Sequence, residues 1–296
     1  MRHIIIGSRG SDLALWQANH VRQQLLDAGC FAEIKIIQTR GDAIQDLSFD
    51  KIEGKGFFTK EIEDALLRGE IDVAVHSHKD LQTDQPEGLC IGAVSDRANP
   101  EDVLLIRKDK LDSSSEIGLG AKAIIGTSSS RRKSQLRALF SEAEIRDLRG
   151  NVPTRVDKLR RGDYDAIVLA RAGLERLGIA HDDVEMVVLS TKQMVPAPAQ
   201  GVLALQCRDN DKPVLNILSE LDNSSVRRLV EIERAILAGM DGGCQLPLGV
   251  LAKDAGDKIR VHIAYASSAD EPVSRFLVQG SDERGIIEEA LEILGR

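Results

Sequence analysis

Along the first two-thirds of the chain, short apolar runs alternate with stretches whose apolar residues recur every three or four positions. The run at 3–7 predicts a buried strand. Ser11 then stands where a helix cap belongs, and Ala14, Ala18, Val21 and Leu25 form the stripe of a helix that Gly29 stops. A second strand is predicted at 34–38, a second helix at 59–68 ended by Gly69, and a third strand at 71–76. The pattern then restarts with a strand at 123–126, a helix at 131–140 and a strand at 145–148. A helix follows that is capped by Asn151, carries Pro153 in its first turn and ends at Gly162. A strand at 166–169 leads into a short helix ending at Gly178.

Two segments resemble each other: Glu70-Ile71-Asp72-Val73-Ala74-Val75 and Asp163-Tyr164-Asp165-Ala166-Ile167-Val168. This predicts an α/β fold of two lobes with one plan, each on a mainly parallel sheet. The strand pattern at 202–207 returns to the first lobe, with hinge segments near 99–100 and 195–200. After about 218 the character changes to one amphipathic helix at 226–238, strands at 249–252, 259–265 and 276–278, and a closing helix at 286–294. The expected domains are 1–98 with 199–217, 99–198, and a small C-terminal α+β domain at 218–296. The long polar stretch 39–57, with Gly54-Lys55-Gly56 near its end, has two readings: a lid or a passive loop.

The chain has 296 residues, 42% hydrophobic and 29% charged, as expected of a globular protein, and no apolar run long enough for a membrane span. No export signal is visible at the start, so a cytoplasmic protein is expected. The four cysteines, at 30, 90, 207 and 244, form no C-x-x-C pair, which argues against a zinc or dithiol site. His76 and His78 share a strand face only if the strand continues, and without a third ligand they predict no metal. A net charge of −8 argues against nucleic acid. Yet residues 131–176 hold ten arginines and two lysines against seven acidic residues, a local +5. Arginine in such excess suits bidentate binding of carboxylate or phosphate, although part of it is a solvated face. No Gly-rich nucleotide motif occurs.

In open α/β sheets, ligands sit beyond the carboxyl ends of the strands. Those ends carry Arg9 and Ser11, then Lys79 and Asp80, then Thr127, Ser128, Ser129, Arg131 and Arg132, then Arg149, and Arg171. This is the composition of a polyanion site. Asp80 is the carboxylate among these cations; it either stabilises a developing cation and moves protons, or it is a plain cap or ion pair. Cys244, inside Gly242-Gly243-Cys244-Gln245-Leu246-Pro247, is either an inert thiol or one that carries a group.

Taken in order, these motifs resemble the porphobilinogen deaminase family over nearly the whole chain. They are Ser8-Arg9-x-Ser11 with Leu13-Ala14-Leu15-Trp16-Gln17-Ala18, Thr39-Arg40-Gly41-Asp42, Gly54-Lys55-Gly56 with Phe58, and Val75-His76-Ser77-x-Lys79-Asp80. Then come Gly126-Thr127-Ser128-Ser129-x-Arg131-Arg132, Leu148-Arg149-Gly150-Asn151-x-x-Thr154-Arg155, and Gly242-Gly243-Cys244-Gln245-x-Pro247-x-Gly249. The resemblance implies two periplasmic-binding-protein-like α/β lobes plus the C-terminal domain. It implies a dipyrromethane cofactor joined through Cys244, and head-to-tail condensation of four porphobilinogen molecules, with loss of ammonia, into a linear tetrapyrrole. It assigns Asp80 to catalysis and to holding the pyrrole nitrogens, and Lys79, Thr127, Ser128, Ser129, Arg131 and Arg132 to the cofactor. It assigns Arg9, Ser11, Arg149, Arg155 and Arg176 to the substrate, and Lys55 and Phe58 to a lid at 46–57. It suggests a monomer. His78 stands where the family more often has methionine, and Ala199 where it usually has glycine. His78 is expected to add a titrating group beside Asp80. The competing readings are a non-catalytic anion-binding protein and a sensing domain; neither accounts for Cys244 and Asp80 together.

Overall fold

The computed structural model describes residues 2–39, 59–179, 182–241 and 246–296. It divides into two compact units, Met1–Ala98 with Gly201–Arg228, and Asn99–Gln200 with Leu229–Arg296. The stretch expected as a lid, with Lys55 and Phe58, lies outside the described residues, as does Cys244.

The first unit is built on a five-stranded sheet in the order β2-β1-β3-β10-β4. Its strands are β1 (His3–Ser8), β2 (Phe31–Ile36), β3 (Val73–Ser77), β4 (Leu89–Val94) and β10 (Leu203–Arg208). β1 runs parallel to β2 and β3, and β10 is antiparallel to both its neighbours. One face packs on helix α1 (Asp12–Asp27), whose buried Ala18, Val21 and Leu25 meet Ile4, Ile6, Val73 and Val75. The other face packs on helix α2 (Lys60–Leu67) through Ile62, Ala65 and Leu66. Burial on both faces is why β1 and β3 carry apolar runs, whereas the edge strand β2 carries Glu33 and Lys35 and is largely exposed. Ser11 caps α1 by accepting from the Ala14 N–H at 3.4 Å.

The second unit contains a sheet of the same plan, β7-β6-β8-β5-β9. Here β5 is Asp102–Arg107, β6 Ile124–Gly126, β7 Glu144–Arg146, β8 Ala166–Ala170 and β9 Val184–Leu189. β6 is parallel to β7 and β8, while β5 is antiparallel to β8 and β9. In each sheet the fourth strand alone is reversed.

The repeated sequence has a physical meaning. Asp72 accepts the Ile5 N–H at 2.9 Å, and Asp165 accepts the Ile124 N–H at 2.9 Å. Each thereby satisfies a backbone donor of the neighbouring strand. The second oxygen of each meets a cation from the reversed strand or just beyond it: Arg208 at 3.1 Å in the first unit, Lys110 at 3.1 Å in the second.

Several details differ from the sequence pattern. β2 starts at Phe31, three residues early, because its ladder with β1 runs from His3↔Phe31 to Ser8↔Ile36. β4, β5, β9 and a helix at Lys212–Ser219 were not foreseen. β3 ends at Ser77, and a 3-10 turn over His78–Asp80 follows, so His76 and His78 do not share a strand face.

The C-terminal part is the antiparallel sheet β11 (Leu248–Ala255), β12 (Lys258–Tyr265) and β13 (Ser274–Gly280). It packs on the helices Ser224–Gly239 and Glu283–Ile293 around Ile236, Val250, Val261 and Ile286. Within the second unit it is tied to residues 195–199. The Val250 N–H donates to the Pro196 carbonyl at 2.9 Å. The fully buried Glu233 carboxylate accepts the N–H groups of Ala199 (2.7 Å) and Ala252 (2.8 Å).

Ala199 is buried with φ of 61°. A Cβ in the left-handed region costs roughly 1–2 kcal/mol. Part of that is recovered because alanine restricts the unfolded chain more than glycine does. Ala199→Gly should therefore raise stability by about 0.5–1 kcal/mol, read as a higher urea midpoint at unchanged slope.

Candidate functional site

In the first unit the candidate residues follow the carboxyl ends of two neighbouring parallel strands, β1 and β3. Ser8, fully buried, donates to the Ala14 carbonyl at 3.1 Å and fixes the start of α1. Arg9, half-buried, comes next, then the cap Ser11. Gln17 of α1 donates to Ser77 Oγ at 2.9 Å, tying the helix to the end of β3. The 3-10 turn is anchored by the His78 N–H on the Val202 carbonyl at 2.9 Å. It leaves Lys79 half-buried and Asp80 exposed, while His78 is buried at 4% exposure.

Beneath this turn lies a polar network that sequence reasoning missed. Gln206 Nε2 donates to Gln85 Oε1 at 2.8 Å, so Gln206 Oε1 is the acceptor for His76 Nε2–H at 3.2 Å. Burial pushes the His76 imidazole down to about 4; the bond to Gln206 opposes this and the charge of Arg9 adds to it. Burial raises the Glu63 carboxyl, against hydrogen bonds to Gln206 and Thr59. His76 is thus neutral in the folded protein but protonates at ordinary acidity when unfolded. The unfolded state binds the extra proton, so this stability is complete above about 6.5 and is lost as pH falls toward 4. His76→Gln should remove about 3 kcal/mol of the wild-type loss across that window, measured by urea denaturation at each pH.

In the second unit the candidates again follow parallel strand ends. Thr127, 2% exposed, comes directly after β6 and accepts the Ser129 N–H at 3.3 Å. Ser128 Oγ donates to the Leu148 carbonyl and accepts the Leu148 N–H, both at 3.0 Å, clamping the ends of β6 and β7 together. Ser129 precedes helix α3 (Ser130–Leu139) with extended backbone and makes no side-chain cap bond. The first turn of α3 therefore offers N–H groups and the positive end of the helix dipole.

Arg149 follows β7, half-buried. Gly150, at φ of 108°, makes the turn into helix α4 (Val152–Arg160), capped by Asn151 on the Thr154 N–H at 2.9 Å. Arg155 Nε donates to the Gly150 carbonyl at 2.7 Å. Arg176 sits near the end of helix α5 (Arg171–Leu177), after β8. Burial lowers its guanidinium, against the nearby charge of Glu175.

Arg131 and Arg132 are 5% and 6% exposed. Both close on Asp102, the fully buried first residue of β5: Arg131 Nη1 at 2.6 Å, Arg132 Nη2 at 2.7 Å and Nε at 3.1 Å. Arg131 also donates to the Val195 carbonyl at 2.9 Å, and Arg132 to the Val168 carbonyl at 3.1 Å. Gln200 Nε2 bridges the Pro100 carbonyl (2.7 Å) and Asp102 (3.1 Å). Asp102 was missed because an acid ahead of an apolar run looks like a strand boundary; its partners lie 29 and 30 positions away.

Hydroxyls, guanidiniums and a helix N-terminus without a side-chain cap fit a ligand bearing several carboxylates. No described helix is long and apolar enough to cross a membrane, and no cluster of metal-ligating residues occurs among the described residues.

Two sheet-based α/β lobes with cation-rich strand ends and a small C-terminal α+β part define a protein built to hold a polyanionic organic ligand. Residues 4–216 match the family model of the porphobilinogen deaminase dipyrromethane cofactor binding domain, and residues 228–285 that of the porphobilinogen deaminase C-terminal domain. The porphobilinogen deaminase of Nitratidesulfovibrio vulgaris is 44% identical over 95% of this chain and 89% of its own. That of Geobacillus kaustophilus is 42% identical over 99% and 94%. Among solved structures, the substrate binding protein of an amino acid ABC transporter matches with a TM-score of 0.35 and 17% identity, covering 74% of this chain and 91% of that one. The chain belongs to the porphobilinogen deaminase family. It is a transferase that polymerises porphobilinogen into hydroxymethylbilane, on a dipyrromethane cofactor linked through a cysteine.

Proposed function

We propose that this chain works through Asp80 as its catalytic group, with Cys244 as the point of cofactor attachment. The observation that carries the reading is positional. Arg9, Ser11, Lys79 and Asp80 in the first unit follow carboxyl ends of parallel neighbours within one sheet, and Thr127, Ser128, Ser129 and Arg149 in the second unit follow those of parallel neighbours within the other, where α/β sheets take ligands.

When bound, dipyrromethane supplies the pyrrole carbon to which the first porphobilinogen is joined. Lys79, Thr127, Ser128, Ser129, Arg131 and Arg132 hold its carboxylates, and Asp80 holds its pyrrole nitrogens. Arg9, Ser11, Arg149, Arg155 and Arg176 take the carboxylates of the incoming substrate and orient its aminomethyl carbon. As ammonia leaves, positive charge develops on the substrate, and the Asp80 carboxylate stabilises it. With the cofactor bound, the same carboxylate would take up the proton released as the new carbon–carbon bond forms. Lys55 and Phe58 act in a lid, and the three domains are 1–98 with 199–217, 99–198 and 218–296.

The described cysteines support Cys244 as the attachment point. Burial pushes the Cys207 thiol up to about 12. Cys90, 4.0 Å from it, is also raised by burial, and Cys30 packs against the core. A thiol held in its protonated form is a poor nucleophile. The enzyme acts as a cytoplasmic monomer that takes no nucleic acid or membrane partner and needs no metal.

Elongation on the protein is tested by intact mass after mixing with limiting porphobilinogen. The chain should gain successive increments of one porphobilinogen less one ammonia, up to four. A chain of constant mass during turnover would refute growth on the tether.

A further inference from the structure

Asp102 is fully buried in the second unit and touches two adjacent arginines in the first turn of the helix that follows β6. Two guanidiniums converge on one carboxylate, so Asp102, Arg131 and Arg132 together carry a surplus of one positive charge. Each guanidinium has five N–H donors, and the bonds among described residues engage three on each. Gln200 completes the arrangement, donating to Asp102 and to the Pro100 carbonyl while its Oε1 lies 3.5 Å from Arg131 Nη2. Buried cations without full compensation are costly, and a second anion relieves that cost.

We infer that Asp102 is a positioning residue for cofactor capture: it fixes the Arg131 and Arg132 guanidiniums at the start of α3 and leaves one unit of positive charge for a carboxylate of dipyrromethane to neutralise. This rests on the assignment of Arg131 and Arg132 to the cofactor. Asp102 makes no contact with the ligand in this role. It sets the rotamers of the groups that do, and it keeps the buried surplus at one charge rather than two. The reversed strand β5, which brings Asp102 under α3, thereby contributes to binding without offering a ligand contact.

The test uses full-length chains purified under one protocol, with the fraction carrying two pyrrole units read by intact mass and folding read by circular dichroism and Tm. Asp102→Asn keeps the shape and removes the charge. It should fold with a lowered Tm and carry about tenfold less cofactor or worse, with Asp102→Glu recovering part of the loading. Leu104→Ala, on the same strand but in the apolar core, should lower Tm comparably while remaining fully loaded. A folded Asp102→Asn chain with wild-type loading overturns the inference, as does a Leu104→Ala chain that loses cofactor in proportion to its Tm. If Asp102→Asn does not fold, Asp102→Glu decides, since it keeps the charge but displaces both guanidiniums: loading reduced severalfold in a folded chain supports the inference, and wild-type loading overturns it. Arg131→Leu separates the two levels. Full loading in that variant removes the assignment of Arg131 to the cofactor. Lost loading there, with wild-type loading in Asp102→Asn, removes only the role of Asp102.

Discussion

Asp80→Asn should reduce hydroxymethylbilane formation by about a thousandfold or more while leaving the protein folded. The two halves of this expectation have separate physical origins. Asp80 is exposed on a 3-10 turn whose anchor is the backbone bond from His78 to Val202, and no hydrogen bond or ion pair ties its carboxylate to another of the described residues. Surface substitutions of this kind shift stability by about 0.5 kcal/mol or less. The catalytic loss is larger because asparagine keeps the size and an acceptor oxygen but neither the charge nor the ability to take a proton. Preorganised electrostatic stabilisation is worth about 10²–10³ in rate, and proton transfer by a placed group about 10²–10⁴. The two are not additive when one side chain serves both, hence an expectation near the middle of the combined range. The measurements are the initial rate of tetrapyrrole release and Tm on the same preparation. Turnover within tenfold of wild type would remove Asp80 from the chemistry; a collapse of Tm alongside the rate would make it a structural carboxylate instead.

Cys244→Ser should yield a chain at its bare polypeptide mass, with no detectable turnover. Thioether attachment needs a thiolate, and a serine hydroxyl is far less ionised and far less nucleophilic toward carbon. None of the three remaining cysteines offers a substitute. Cys207 is buried with its thiol near 12, Cys90 faces it at 4.0 Å, and Cys30 packs at the core edge. Mass addition of two pyrrole units to the serine chain would show that attachment lies elsewhere. Loss of the addition with turnover retained would show that the primer need not be tethered.

The two-lobed plan was legible because it rests on local, repeated signals. The pair Asp72 and Asp165 precedes matching apolar runs, and both carboxylates satisfy a backbone donor of a neighbouring strand. Capping residues Ser11 and Asn151 announced their helices for the same reason: the bond they make spans three residues. The reversed strands were harder. β5 carries the apolar run Val103-Leu104-Leu105-Ile106 but leads into no helix, so it breaks the strand–helix rhythm by which its neighbours were found. The arginines of α3 were legible as chemistry but not as burial. Nothing near Arg131 and Arg132 in sequence indicates that Asp102 lies against them, since that contact depends on β5 entering the sheet beside β8. His76 likewise reads as half of a histidine pair, until the end of β3 at Ser77 separates it from His78 and Gln206 of β10 claims its Nε2.

The discontinuity of the first unit has a consequence for its birth on the ribosome. β4 ends at Val94, but β10, which must insert between β3 and β4, begins only at Leu203. At about 5–20 residues per second, the nascent chain waits on the order of ten seconds with that gap open. During this interval β3 and β4 each expose an unpaired edge beside apolar Val73, Val75 and Ala93, the kind of edge that recruits strands from other chains. The second sheet has no such wait, because its reversed strand β5 is made first and β9 completes the sheet by Leu189. The lobe that begins the chain is therefore the last of the two whose strands are all available, since its sheet waits for the strand from beyond residue 200.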